Sequence, residues 1–323
     1  MAEPLMDGEL IGGEFKRQAS RFRDWVGQET GFAVEDGRYH LYISLACPWC
    51  HRSAILRVLA GLKEAVAVSY LAPFRDERGW AFTGEGFTVG PADSPDAWSG
   101  EYVDELHGWA FMSEAYRASD PGFSGRITVP VLWDADTGRI VNNESSDIIR
   151  MLYSPNSLGA LGAGGGLDLY PRQQRDEIDQ INDRVYATVN NGVYRAGFAR
   201  LQGAYDRAFA ALFDSFDWLE DLLGGRRYLA GELVTEADWR LFPTLMRFDE
   251  VYNLHFRCNR RRLVDYPNLW GYARELYQWP GVSQTVAMGQ IKEHYYTTHD
   301  ELNPKRIIPG GPDYDWSVPH GRG

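Results

Sequence analysis

The four residues Cys47-Pro48-Trp49-Cys50 stand where the chain changes period, and this constrains the fold more than any other feature. Before them, Leu41, Ile43 and Leu45 alternate with His40, Tyr42 and Ser44, the period of a half-buried strand. After them, Ile55, Leu56, Leu59 and Leu62 form an apolar stripe at helical spacing, with Gly61 near its end. A strand, a tight turn and a helix therefore follow one another with Cys47 at the junction. Ala65–Leu71 reads as a second strand, and a strand-helix-strand unit favours a parallel pair.

Pro48 at the first helical position marks a helix entrance. A cysteine placed there meets unpaired backbone N–H groups and the positive end of the helix dipole, which favour thiolate over thiol. The thiolate is the attacking species in thiol exchange, so Cys47 is the candidate nucleophile. The bland alternative is an inert buried cysteine. Cys50, one turn further, is either a resolving thiol or a small hydrophobe packed beneath the turn, and the residues leave both readings open. Cys258 lies far along the chain in a His-Phe-Arg-Cys-Asn stretch and reads as a packing residue. Three cysteines cannot build a disulfide framework and the CPWC pair is too small for a four-ligand zinc site, so thiol chemistry without a metal is expected.

The remaining organisation follows from composition and period. Residues 1–37 are polar and aperiodic and read as an extended surface arm with no assigned function. Residues 38–153 form the first domain, with a long inserted loop at 72–125 that is rich in Gly, Pro and aromatics. Near its end, Ile127–Trp133 is β-rich but contains Pro130, which cannot donate to a ladder and so belongs at an edge or in a cis turn. Ile140-Val141 follows, and Glu144-Ser145-Ser146 opens a helix that turns Ile148, Ile149 and Leu152 inward. The resulting order, βαβ then ββα, is thioredoxin-like. Residues 154–168 are a glycine-rich linker. From 169 to 300 helical periods dominate, over 171–189, 202–223, 236–252, 269–277 and 282–296, which predicts an all-helical second domain. Within it, Thr235 and Asp238 are spaced as a capping box worth about 1 kcal/mol. Residues 301–323 are a C-terminal extension.

Bulk properties narrow the function classes. A chain of 323 residues, 44% hydrophobic and 14% aromatic, suits two globular domains. No run of about 18 apolar residues and no basic-then-apolar leader occurs, so a cytoplasmic protein with no membrane association is expected. A net charge of −12 disfavours nucleic acid as a partner. The local run Arg260-Arg261-Arg262 reads as a solvated loop or as partners for surface carboxylates.

Taken together, the α/β thioredoxin-like N-terminal domain, Cys-Pro-Trp, Val129-Pro130, Glu144-Ser145 and the all-α C-terminal domain with its capping box resemble the glutathione-transferase fold. The segments Gly125–Asp134, Val141–Ser145, Asn190–Phe198 and Ile291–Tyr296 are similar to the Xi class, the glutathionyl-hydroquinone reductases, and the similarity runs from Tyr42 to His320. The resemblance implies a homodimeric enzyme that takes a small-molecule thiol, glutathione as co-substrate, and an aromatic quinol conjugate, with Cys47 as nucleophile. It further implies that Trp80 covers the thiol and that Val129 pairs with its cysteinyl backbone. Glu144 and Ser145 would hold its γ-glutamyl end, with Arg126 facing a carboxylate. Tyr194 and Tyr295 would contact the quinol oxygens, with Tyr186 and Tyr296 as alternates. Members carry a small residue where Cys50 stands, so CPWC departs from the pattern and leaves a general thiol-disulfide oxidoreductase as an alternative. A conjugating transferase would use a Tyr or Ser hydroxyl, and a non-catalytic interaction protein would have no need of Cys47, Trp80, Glu144 and Ser145 together. Only four of the 33 basic residues are lysine, the usage of a GC-rich genome, and another low-molecular-weight thiol stays open beside glutathione.

Overall fold

Residues 10–27, 30–90, 97–163 and 165–323 are described by a computed structural model. The first nine residues of the expected arm and Gly164 of the expected linker lie outside the described residues. The strands are β1 (Leu10–Ile11), β2 (Glu14–Phe15), β3 (Tyr39–Ile43), β4 (Val66–Tyr70), β5 (Gly86–Val89), β6 (Trp98–Glu101), β7 (Val131–Asp134) and β8 (Arg139–Asn142). The α-helices are α1 (Pro48–Leu59), α2 (Met112–Ser119), α3 (Ser145–Tyr153), α4 (Arg175–Val185), α5 (Gly192–Gly197), α6 (Gln202–Gly225), α7 (Glu236–Met246), α8 (Pro267–Tyr277) and α9 (Met288–Thr298).

Cα packing divides the chain into one unit of Gln18–Asp168 with Pro280–Thr298, and another of the residues up to Arg17, Leu169–Trp279 and His299–Gly323. The units change after Arg17, Trp279 and Thr298 rather than at the expected 37/38 and 300/301. Helix α9 was expected in the helical domain, but it joins the thioredoxin-like unit. There the Thr298 hydroxyl accepts from the Arg75 N–H at 3.2 Å, and His294 Nδ1 lies 2.6 Å from the Pro73 carbonyl. Helical period reports that a face is buried, not which neighbour buries it.

In the thioredoxin-like unit the sheet runs β4-β3-β7-β8, with β3 parallel to β4 and antiparallel to β7, and β7 antiparallel to β8. Strand β3 is buried along its whole length rather than on one face. The segment 72–125 supplies the extra cover. Tyr42 donates to Asp104 Oδ1 at 3.0 Å, and the Asp104 carboxylate also accepts from the N–H groups of Leu106, His107 and Trp109. This segment also carries the β5–β6 hairpin and α2.

Two segments expected to be loose are tied down. Residues 22–24 pair with the end of β8, where Asp24 N–H donates to the Val141 carbonyl at 3.0 Å and Asn143 N–H donates to that of Phe22 at 3.1 Å. The glycine-rich stretch after α3 forms a 3-10 turn at Leu158–Leu161. A Cβ on Gly162 would lie 1.9 Å from the Ala60 carbonyl oxygen, so this glycine serves close approach, not flexibility.

The helical unit holds α4 to α8 and the β1–β2 hairpin. Helix α7 is capped as its sequence requires: Asp238 accepts from the Thr235 N–H at 2.7 Å, and also from the Leu229 N–H and the Tyr272 hydroxyl. Arg260 pairs with Asp217 and Arg262 with Asp265. The tail docks through the Gln278 amide on the Trp316 carbonyl and the Arg322 guanidinium on Glu275. Among the described residues no helix is long and apolar enough to cross a membrane.

Candidate active site

Cys47 is the N-cap residue of α1. Its backbone is extended, and its carbonyl accepts the first helical bond from the His51 N–H at 3.0 Å. Pro48 follows at the first helical position, where its missing N–H has no helical partner to lose. The residue is 6% exposed, and its Sγ lies 3.8 Å from the Val129 carbonyl. The Val129-Pro130 peptide is cis, at the entry to β7. Two segments 82 residues apart in sequence thus meet at the sulfur. Cys50 lies inside α1 with no exposed surface, and none of the three cysteines is in a disulfide. Burial pushes the Cys258 thiol far above its ordinary range, consistent with a packing role.

The second group sits at the start of α3, where Glu144 is the N-cap residue. Glu144 Oε1 accepts from the Ser146 N–H at 3.2 Å, and Oε2 accepts from the Ser20 hydroxyl at 2.9 Å. Burial would raise this carboxyl. The Ser146 N–H, the Ser20 hydroxyl and the charges of Arg52 and Arg23 prevail and hold it below its ordinary value. Glu144 is therefore a carboxylate at neutral pH, able to cap α3 and still accept from a ligand. The Ser145 hydroxyl accepts from Arg52 Nη1 at 3.3 Å. Arg52, itself 2% exposed, lies on α1 with its guanidinium over the Trp49 ring, so the helix that carries Cys47 also braces the start of α3.

Sequence reasoning missed Ser20, Arg52 and His294 as members of this constellation. Arg52 left a trace, as a charged residue within the inward-packing turn after CPWC. Ser20 left none, because a polar residue in an aperiodic arm has no pattern to break.

Trp80 is 4% exposed and stacks on His294, with ring centroids 5.0 Å apart and an interplanar angle of 18°. The Arg75 guanidinium lies over its ring. His294 in turn meets the Tyr295 ring edge to face at 5.2 Å. Trp80 and Tyr295 are thereby joined through one imidazole within the thioredoxin-like unit. Arg126 is half-buried on the approach to Val129. Tyr194 belongs to the helical unit, where it is buried among Phe15, Phe198, Tyr252 and Phe256 beneath the Arg17 guanidinium. Of the two alternates, Tyr186 is exposed and Tyr296 buried. Among the described residues no group of three or more His, Cys, Asp or Glu is gathered as a metal site would need.

An extended stretch beside a cis proline, a thiol at a helix entrance and an ionised carboxylate at a second helix entrance suit a thiol that carries its own peptide-like backbone and an ammonium group. Comparison with known proteins points the same way. The family described as glutathione S-transferase, N-terminal domain, matches residues 46–154, and its C-terminal counterpart matches residues 202–275. The chain is 46% identical over 324 residues to the glutathionyl-hydroquinone reductase YqjG of Escherichia coli (strain K12), covering 98% of this chain and 94% of the relative. It is 47% identical over 307 residues to the glutathionyl-hydroquinone reductase PcpF of Sphingobium chlorophenolicum, with coverages of 95% and 92%. The glutathione-bound structure of YqjG superposes with a TM-score of 0.85 at 44% identity, covering 97% of this chain and 98% of that one. A Xi class transferase from Natrialba magadii gives 0.86 at 44% identity, with coverages of 97% and 95%.

Proposed function

The chain belongs to the glutathione transferase family, among its Xi-class glutathionyl-hydroquinone reductases, and we propose that it removes glutathione from glutathionyl-hydroquinones through a mixed disulfide on Cys47. The observation that carries this reading is the Cys47 thiol at the α1 entrance, 3.8 Å from the Val129 carbonyl, in a chain related over nearly its full length to two reductases of that name.

The Cys47 thiolate attacks the glutathione sulfur of the conjugate. An S–S bond forms, the bond from sulfur to the ring carbon breaks, and that carbon takes up a proton to give the free hydroquinone. A second glutathione thiolate then attacks the mixed disulfide, releasing glutathione disulfide and restoring Cys47. The ring carbon is reduced by two electrons while the conjugate's thioether sulfur and the sulfur of one incoming glutathione thiol are oxidised to one disulfide, so that second glutathione is the only reductant needed. Val129 pairs with the cysteinyl backbone, and Glu144 accepts from the γ-glutamyl ammonium while Ser145 donates to its carboxylate. Trp80 covers the thiol and Arg126 faces a carboxylate of it. Tyr295 donates to an oxygen of the quinol as charge develops there. Tyr194 is kept as a second quinol contact on the strength of the family resemblance alone. Three free thiols suit a reducing compartment, and we place the enzyme in the cytoplasm as a homodimer.

The test is a single turnover. Protein mixed with a glutathionyl-hydroquinone and no free thiol should release one hydroquinone per active chain and carry glutathione on Cys47, as mass spectrometry of the digest would reveal. Release without a Cys47 adduct would overturn the reading. Repeating the reduction step with other low-molecular-weight thiols then identifies the thiol used.

A further inference from the structure

A cleft of about 550 Å³ opens on the thioredoxin-like unit beside the backbone that carries Trp80, bounded by Gly79 and Ala81. The segment after β4 forms one wall, β5 with Tyr102 another, and the first turns of α9, with Gln290 and Glu293, the third. None of the residues assigned above to thiol or quinol binding lines it.

Gln290 is 7% exposed, and neither Nε2 nor Oε1 of its amide meets a hydrogen-bonding partner among the described residues. A buried amide with both ends unmatched lowers stability unless something enters the cleft to match it. The charges say what that would be. Asp76 is matched by the Arg78 guanidinium, whose Nε donates to it at 2.9 Å, which leaves Glu85 and Glu293 as the uncompensated charges of the lining. The two carboxylates repel each other and both act on Tyr102, and burial together with Glu85 raises the Glu293 carboxyl above its ordinary value. An anion is therefore unfavourable here and a cation relieves the repulsion. Phe87 and Tyr102 stack at 4.7 Å and give the cleft an aromatic wall, which favours an organic cation. A bare metal ion would find no third acidic or imidazole ligand clustered with the two glutamates among the described residues.

We infer that this cleft binds a small organic cation bearing N–H donors, an aliphatic amine or guanidinium. Its charged head sits between Glu85 and Glu293, one N–H reaches the Gln290 carbonyl, and its carbon chain lies against Phe87 and Tyr102.

Calorimetric titration of the full-length protein at physiological salt tests this with 1,4-diaminobutane, guanidinium-bearing agmatine, neutral butane-1,4-diol and calcium chloride as probes. The expected result is saturable one-to-one binding of one or both amines and none of the diol. Affinity should fall tenfold or more in Glu293→Gln and stay unchanged in Glu232→Gln, an exposed carboxylate of the other unit that controls for the acidic surface. Gln290→Leu should weaken amine binding yet raise the thermal midpoint, because it removes the unmatched amide. Circular dichroism of each variant reports the fold. Absence of saturable amine binding, equal affinity in Glu293→Gln, or calcium bound in preference to both amines would overturn the inference.

Discussion

The hydroxyl of Ser20 donates to Oε2 of Glu144 at 2.9 Å, joining positions 124 residues apart. It is one of the contacts that keep this carboxyl ionised. In Ser20→Ala the Glu144 carboxyl should titrate at higher pH and the KM for glutathione should rise about three- to tenfold with kcat preserved, the effect of losing about 1 kcal/mol from one hydrogen bond to a charge. The sign follows from the depressed value. Glu144 assists thiol binding above its folded pKa and loses that role as pH falls through it, below the ordinary 4.5, and the loss should begin earlier in the variant. Steady-state kinetics from neutral to acid pH measures both, and an unchanged KM across that range would remove Glu144 from the thiol site.

Cys47→Ser should lower glutathionyl-hydroquinone reduction by about three orders of magnitude or more, since an alkoxide forms far less readily than a thiolate. Its far-ultraviolet dichroism should match the parent. Substantial turnover in a folded Cys47→Ser protein would end the mixed-disulfide mechanism.

Cys50 separates the reductase from a general disulfide oxidoreductase. It has no exposed surface, as a small core residue does. Cys50→Ala should therefore keep most hydroquinone reduction, with a rate that depends on external thiol, and cost about 1 kcal/mol of stability for the lost volume. Collapse of turnover at saturating thiol, with glutathione accumulating on Cys47, would make Cys50 a resolving thiol instead.

His294 is placed to position Trp80, stacked on its indole and 2.6 Å from the Pro73 carbonyl. His294→Ala should raise the KM for glutathione several-fold with little change in kcat, whereas His294→Phe, which retains the ring, should recover much of it. Equal kinetics in the two variants would show that the stack does not act on the thiol site.

Stability should depend on pH through two buried histidines. Burial is the main cause that lowers His40 and His255 from the ordinary 6.5 to about 4. Between those values the unfolded chain binds protons that the folded chain refuses, so stability should be level above about 6.5 and fall as the pH drops toward 4. Urea midpoints across this range give the slope. His40→Gln, which offers Ser69 a hydrogen-bonding group without a titrating one, should flatten it, and an unchanged slope would assign the dependence elsewhere.

The order β3-α1-β4-β7-β8-α3 of the thioredoxin-like core, the cysteine at a helix entrance, the proline before β7, the Glu-Ser start of α3 and the Thr235–Asp238 cap were legible in the sequence. Each is set by neighbours a few residues apart, through side-chain period, a missing N–H or a cap spacing. The tertiary structure decided what distance in sequence conceals. Whether β3 buried one face or two depended on a segment folding back to place Asp104 on Tyr42. Helix α9 carries the same helical signal whichever unit buries it, and His294 on Trp80 and Thr298 on Arg75 assign it. The arm that showed no pattern supplies Ser20 to Glu144, and the stretch that composition marked as a flexible linker is a tight turn whose Gly162 lets two backbones approach. Local periodicity reports that a residue needs a partner; only the closed chain determines which one it finds.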